Sequence, residues 1–74
     1  MAEINMVVIN CDGLLIEYEW ESTEQFLADM RSDKEVIPML DDNIHTLYYN
    51  GSCYNESQLE EIGITTVNDF MENV

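Results

Sequence analysis

Glu17, Glu19 and Glu21 alternate with other residues between Leu14 and Glu21, and Glu24 follows close behind. On a β-strand this spacing puts the three carboxylates on one face, with neighbours about 6.8 Å apart, twice the ~3.4 Å rise per residue. Like charges so placed repel by about 1 kcal/mol or less per pair in water. Selection for stability alone would intersperse lysines, and none stands near them. A second group, Glu56, Glu60 and Glu61, contains a repulsive i,i+4 pair if it is helical, and Asp69 with Glu72 forms a similar i,i+3 pair. Asp41 and Asp42 precede Asn43, three residues in a row that can ligate a hard cation. They lack the alternating acids, central glycine and terminal glutamate of a calcium loop, so the segment reads as an Asx-rich turn. His45 and Cys53 are the remaining reactive pair, a conceivable base and nucleophile across one hairpin. The preferred reading is a partly buried structural histidine beside a buried structural cysteine. Gly13, Gly51 and Gly63 each have a turn or cap explanation, which leaves no phosphate-cradling loop. No catalytic residue, metal or cofactor is expected, and the chain reads as a non-enzyme.

Charge dominates the composition. Sixteen Asp and Glu face two basic residues, Arg31 and Lys34, for a formal net charge of −14 in 74 residues. Self-repulsion of that size disfavours compaction and excludes nucleic acid or an anionic membrane as a direct ligand. Solubility would account for a charge of about −2 to −8 in a small domain. Adaptation to high salt is a second bland explanation, but the chain is rich in Ile, Met, Asn and Tyr and has two Ala. The 46% apolar content is that of a globular chain, enough for a modest core and against disorder. The opening MAEINMVVIN has no basic region and only a short apolar run, unlike a signal peptide or a membrane span. A cytoplasmic protein with reduced Cys11 and Cys53 is the expectation.

These acids need a scaffold, and the pattern predicts one domain over residues 1–74. Ile4 to Asn10 suits a well-covered strand, Asp12-Gly13 a tight turn, and Leu14 to Glu21 a half-buried strand with Leu14, Ile16, Tyr18 and Trp20 inward. Ser22 to Gln25 forms a capping box for a helix carrying Phe26, Leu27 and Met30 to about Ser32. Pro38 favours an extended connector over 33–43, anchored by Val36, Ile37, Met39 and Leu40. Ile44 to Tyr49, Asn50-Gly51 and Ser52 to Asn55 predict a second hairpin with a type I′ turn. Asn55 or Ser57 caps a helix with Leu59 and Ile62, which Gly63 ends. Thr66 to Asp69 starts a last helix with Val67, Phe70 and Met71 inward. The order ββαββα predicts an α+β fold, a four-stranded antiparallel sheet with helices packed on one face.

The segment Leu59 to Phe70, with Gly63-Ile64 between two short helices, resembles the units of helix-hairpin-helix nucleic-acid binders. Those units approach phosphates with backbone amides and lysines. Glu60, Glu61 and Asp69 stand here instead, so the resemblance implies a structural unit without DNA binding. In charge and size the whole chain resembles the small acidic DNA-mimic inhibitors that phages and mobile elements direct against restriction or CRISPR systems. That resemblance implies a partner with a basic nucleic-acid-binding surface, a nuclease or effector complex, that meets DNA with Lys and Arg. The expected partner-binding residues are Glu17, Glu19, Glu21, Glu24, Asp41, Asp42, Glu56, Glu60 and Glu61, with Trp20, Tyr48, Tyr49 and Tyr54 as aromatic candidates beside them. The alternative is an acidic adaptor or antitoxin-like module that neutralises a basic protein without imitating DNA. A small metal-binding domain or hydrolase using Asp41, Asp42 or His45 comes third. A monomer or small homo-oligomer is expected, since the fourth strand is short for edge-to-edge pairing.

Overall fold

Four extended segments and three short capped helices set the architecture. The computed structural model describes residues 3–32 and 37–74. In chain order its elements are β1 (Ile4–Ile9), β2 (Leu15–Trp20), α1 (Thr23–Arg31), β3 (Asn43–Tyr49), β4 (Ser52–Tyr54), α2 (Glu56–Glu61) and α3 (Val67–Glu72). The strands form one antiparallel sheet in the order β2-β1-β3-β4, the α+β arrangement expected from the sequence.

The two hairpins close differently. Gly13 donates to the Asn10 carbonyl at 3.0 Å and has φ +79°, the pattern of a three-residue loop ending in a left-handed glycine. The Asn10 side chain accepts from the Asp12 and Leu14 amides, each at 2.9 Å. Leu14 therefore belongs to this loop and not to the strand, and it is 60% exposed rather than inward. At the other hairpin Asn50 (φ +50°) and Gly51 (φ +84°) both take positive φ between the paired Tyr49 and Ser52, as a type I′ turn requires.

One face of the sheet is dry. Ile4, Met6, Val8, Trp20, Ile44 and Leu47 meet Phe26 of α1, Leu59 of α2, and Val67 and Phe70 of α3 in a single buried cluster. Rings link the layers: Trp20 to Phe26 at 4.8 Å, Phe26 to Phe70 at 5.1 Å and Tyr49 to Phe70 at 5.3 Å, all near edge-to-face. Ile44 and Leu47 both face inward although three residues apart. The register against β1 shifts between Val7 and Val8, which pair with Thr46 and Ile44, and His45 is the extra residue of this bulge.

Short helices need their ends satisfied, and each has a side-chain N-cap. Ser22 accepts from Gln25 N–H, but Gln25 reaches back to Glu21 N–H instead of completing the box at Ser22. Asn55, not Ser57, caps α2 in a full box with Gln58, and Thr66 does so for α3 with Asp69. Gly63 and Ile64 donate to the Glu60 and Leu59 carbonyls, a Schellman ending for α2. The connector differs from expectation. Met39 and Leu40 are exposed and Pro38 is the buried anchor, because residues 39–42 turn back on themselves through Asp42 N–H to Met39 carbonyl. Val36 lies outside the described residues. β1 also differs: only Ile4, Met6 and Val8 are fully covered, because the helices occupy one face and leave Val7 and Ile9 half-buried on the other.

Phe70 joins α3 to both α1 and β3, so Phe70→Ala is expected to cost roughly 3–5 kcal/mol. At roughly 0.05–0.15 kcal/mol per residue the whole domain has stability of the same order. The variant should therefore be largely unfolded without denaturant by circular dichroism, while Phe70→Leu keeps a cooperative urea transition.

Candidate partner-binding surface

The open face of the sheet is built by the residues that the helices do not cover. Reading across the register, Glu19 lies beside Asn5, Tyr48 and Cys53; Glu17 beside Val7 and Thr46; and Leu15 beside Ile9 and Asn43. Glu17 and Glu19 are exposed on β2, an edge strand, and their backbone pairing to β1 holds them in place. Asn5 Nδ2 donates to Glu19 Oε1 at 3.1 Å, which orients that carboxylate from the neighbouring strand. Glu21 follows at the end of β2, and Glu24 sits in the first turn of α1, where the helix dipole favours an acid. The β2 end and the start of α1 thus carry Glu17, Glu19, Glu21 and Glu24 consecutively along the chain.

The second acidic group is elsewhere. β2 and β4 are opposite edges of the sheet, about 14 Å apart at ~4.8 Å per strand, and α2 packs against β3 and β4. Glu56 and Glu60 line a cleft with Asn43, Ile44, Leu59 and Thr65, and Glu61 is exposed beside it. Glu60 and Glu61 fall in the last turn of α2, where no basic residue offsets them and the helix dipole disfavours them. The structure therefore gives two acidic edges rather than one continuous face.

Asp41 and Asp42 separate. Asp41 is exposed in the turn. Asp42 is 8% exposed, its Oδ2 accepts from Met39 N–H at 3.2 Å, and its carbonyl accepts from Val67 N–H at 3.1 Å. Asp42 is a scaffold residue that ties the turn to α3. Burial, with the Asp42 carboxylate adding to it, raises the Tyr18 phenol above its ordinary value. His45 and Cys53 are not brought together: Cys53 pairs with Tyr48, while His45 sits in the bulge with Nδ1 2.8 Å from Thr46 Oγ1. Cys53 is exposed, against the expected burial, because β4 is an edge strand and Cys53 points to the open face. Among the described residues no cluster of three or more His, Cys, Asp or Glu is arranged to hold a metal. No described helix is long and apolar enough to cross a membrane.

Further acids serve the fold in ways the sequence pattern did not reveal. Glu3 Oε2 accepts from Thr23 N–H at 2.9 Å and from Thr23 Oγ1 at 3.3 Å, locking the start of α1 to the sheet. Asp29 Oδ2 accepts from Trp20 Nε1 at 3.1 Å, joining α1 to β2. Of the aromatic candidates Trp20 is core, Tyr49 and Tyr54 pack against the core, and Tyr48 lies on the open face. The alternation of β2 puts Leu15 on that face with the glutamates, but the apolar residues Val7 and Ile9 beside it were not singled out by sequence. Their signal was the apolar run of β1, too continuous for a strand covered on one side only. No protein-family model, no curated protein and no solved structure matches the chain.

Asp69 provides a pH test of the scaffold. Backbone N–H groups of Thr65 and Thr66 and the Thr65 hydroxyl donate to its carboxylate and hold it below the usual carboxylate range. A depressed folded value stabilises the fold above the unfolded carboxyl value, about 3.9, and the contribution is lost as pH falls through the folded value. Asp69→Asn is expected to melt lower than the parent near neutral pH, and the gap should close under acid in paired thermal melts. With a net charge of −14, the parent should also melt higher as salt screens its self-repulsion.

Proposed function

We propose that this chain is an acidic binding protein that blocks the basic nucleic-acid-binding surface of another protein, a DNA-mimicking inhibitor of the anti-restriction or anti-CRISPR kind. The observation that carries this reading is the fixed placement of Glu17 and Glu19 on β2, with Glu21 and Glu24 following along the chain. Backbone pairing spaces the first two by about 6.8 Å, twice the strand rise. DNA presents a phosphate every ~3.4 Å along each strand, so such a row offers a basic channel charges at every second phosphate position. Sixteen Asp and Glu against two Lys and Arg in the whole sequence make this edge part of a strongly anionic surface. Carboxylates held on a paired strand of so acidic a chain favour a cationic partner.

The roles follow from position. Glu17, Glu19, Glu21 and Glu24 would meet Lys and Arg of the partner, and Asp41, Glu56, Glu60 and Glu61 would add long-range attraction that steers association. No group of the chain is assigned a catalytic role, and no cofactor is needed for a competitive block. A second reading, an acidic adaptor or antitoxin-like module, is favoured by the apolar residues Val7, Ile9 and Leu15 beside the glutamates. Both readings have a basic protein as partner and differ in whether DNA competes for it. A cytoplasmic location fits either.

The test is capture of nucleic-acid-binding proteins from bacterial lysate on the immobilised chain, followed by elution with duplex DNA. A retained protein that DNA displaces, and whose binding falls as salt rises, supports mimicry. The triple variant Glu17→Lys, Glu19→Lys, Glu21→Lys should keep the fold, because these side chains point away from the core, and should retain nothing. Retention that survives both charge reversal and excess DNA would refute the mimic.

A further inference from the structure

We infer that the open sheet face formed by β1 and β2 is a docking surface for a basic amphipathic helix of the partner protein. The inference rests on the reading of the partner as a basic protein and adds where and in what form it is held. Four observations bear on it. Val7, Ile9 and Leu15 form a contiguous apolar strip: Ile9 is directly opposite Leu15, and Val7 is the next outward residue along β1. Leu15 is 59% exposed, so the strip is open to solvent at this end of the sheet. Glu17 and Glu19 border the strip along the edge strand, with Asn5 fixing Glu19 from β1. None of the three described helices packs on this face, because Phe26, Leu59, Val67 and Phe70 all meet the opposite one.

Charge selects the occupant. A second copy would bring another net −14 and its own Glu17 and Glu19 onto this face, and DNA or an anionic bilayer would be repelled likewise. A cationic ligand without apolar groups would satisfy the glutamates but leave the strip wet. A helix with an apolar stripe and flanking Lys or Arg satisfies both. Its diameter of about 10 Å matches the width of two strands at ~4.8 Å spacing. Leucines at i, i+3, i+4 and i+7 would seat on Val7, Ile9 and Leu15, and lysines at the stripe's edge would reach Glu17 and Glu19.

The test uses a synthetic helix of leucines and lysines in an amphipathic pattern, about five turns long, and a second peptide with glutamine at every leucine position. Backbone amide shifts of the 15N-labelled chain report where each binds. The leucine–lysine peptide should perturb Val7, Ile9, Leu15, Glu17 and Glu19 and bind at least about tenfold more tightly than the glutamine–lysine peptide. Ile9→Thr and Leu15→Thr, outward positions where a β-branched residue keeps the strand, should each weaken the first peptide about tenfold and leave the second unchanged. Retained amide dispersion would show that both variants are folded. Equal affinity for the two peptides, no effect of either threonine variant, perturbation centred instead on the separate cleft that Tyr54, Ile62, Ile64 and Val74 line, or no binding would each overturn the docking surface. Glutamine–lysine binding that vanishes in the Glu17→Lys, Glu19→Lys variant would still leave the electrostatic reading standing, so the two proposals fail separately.

Discussion

Edge-to-face contacts among Trp20, Phe26, Phe70 and Tyr49 are the constraint on which the rest of the structure depends. The helices they fasten are nine, six and six residues long. Isolated helices shorter than about 12–15 residues are marginal in water, so none of these would persist alone. Phe26 on α1 and Phe70 on α3 turn local capping into tertiary structure, since each ring is both a helix residue and a wall of the core. The polar bonds that enter this layer are arranged around the rings. Asp29 takes the Trp20 indole N–H that burial would otherwise strand, and Glu3 ties Thr23 to β1 beside it. No buried side-chain nitrogen or oxygen among the described residues lacks a partner.

The acids then divide by what they do to this scaffold. Glu3, Asp29, Asp42 and Asp69 each accept hydrogen bonds from another element or from a helix end. Glu24 and Glu56 begin helices, where an acid is favourable. Glu60 and Glu61 lie at the wrong end of α2 for the helix dipole, and Glu17 and Glu19 repel one another on the same strand face. A core this small has little stability to spare. Charges that oppose folding and do not serve it therefore point outward in meaning as well as in direction. The β2 edge holds the more rigid of these, since a paired strand fixes its side chains better than a six-residue helix.

Sequence made the order of elements legible because their punctuation is local chemistry. Asn50-Gly51 can supply two positive φ values, Gly63 can end a helix, and Thr66 with Asp69 can cap one without help from the rest of the chain. The misses have a common cause, which is that they depend on partners distant in sequence. Leu14 has the parity of an inward residue, but the Asn10 side chain captures its amide for the loop. Cys53 looked buried by residue type, yet β4 is a bare edge. Asp42 looked like a surface acid, and only the packing of α3 beside the 39–42 turn makes it a scaffold residue. The bulge at His45 did leave a trace, in that Ile44 and Leu47 are spaced by three in a strand whose period is two. Of the site, the glutamate row was legible from alternation, whereas the adjacency of Leu15 to Ile9 and Val7 needed the register.

That adjacency changes what the negative charge is for. An open sheet face bearing Val7, Ile9 and Leu15 next to an unprotected edge strand is ordinarily an invitation to self-association. Charged side chains on an edge strand are one means of preventing strand addition, and Glu17 and Glu19 occupy that position on β2. A net charge of −14 extends the same protection to every approach by another copy. The acids therefore permit an apolar strip to remain uncovered, and under the proposed function the strip would hold a cationic partner after electrostatics had brought it there. Charge alone sets the rate of encounter and its salt dependence, while desolvated apolar contact governs how long a complex lasts. A surface that joins the two on adjacent strands would, under the proposed function, select a basic protein while its charge repels nucleic acid, anionic membranes and further copies of itself.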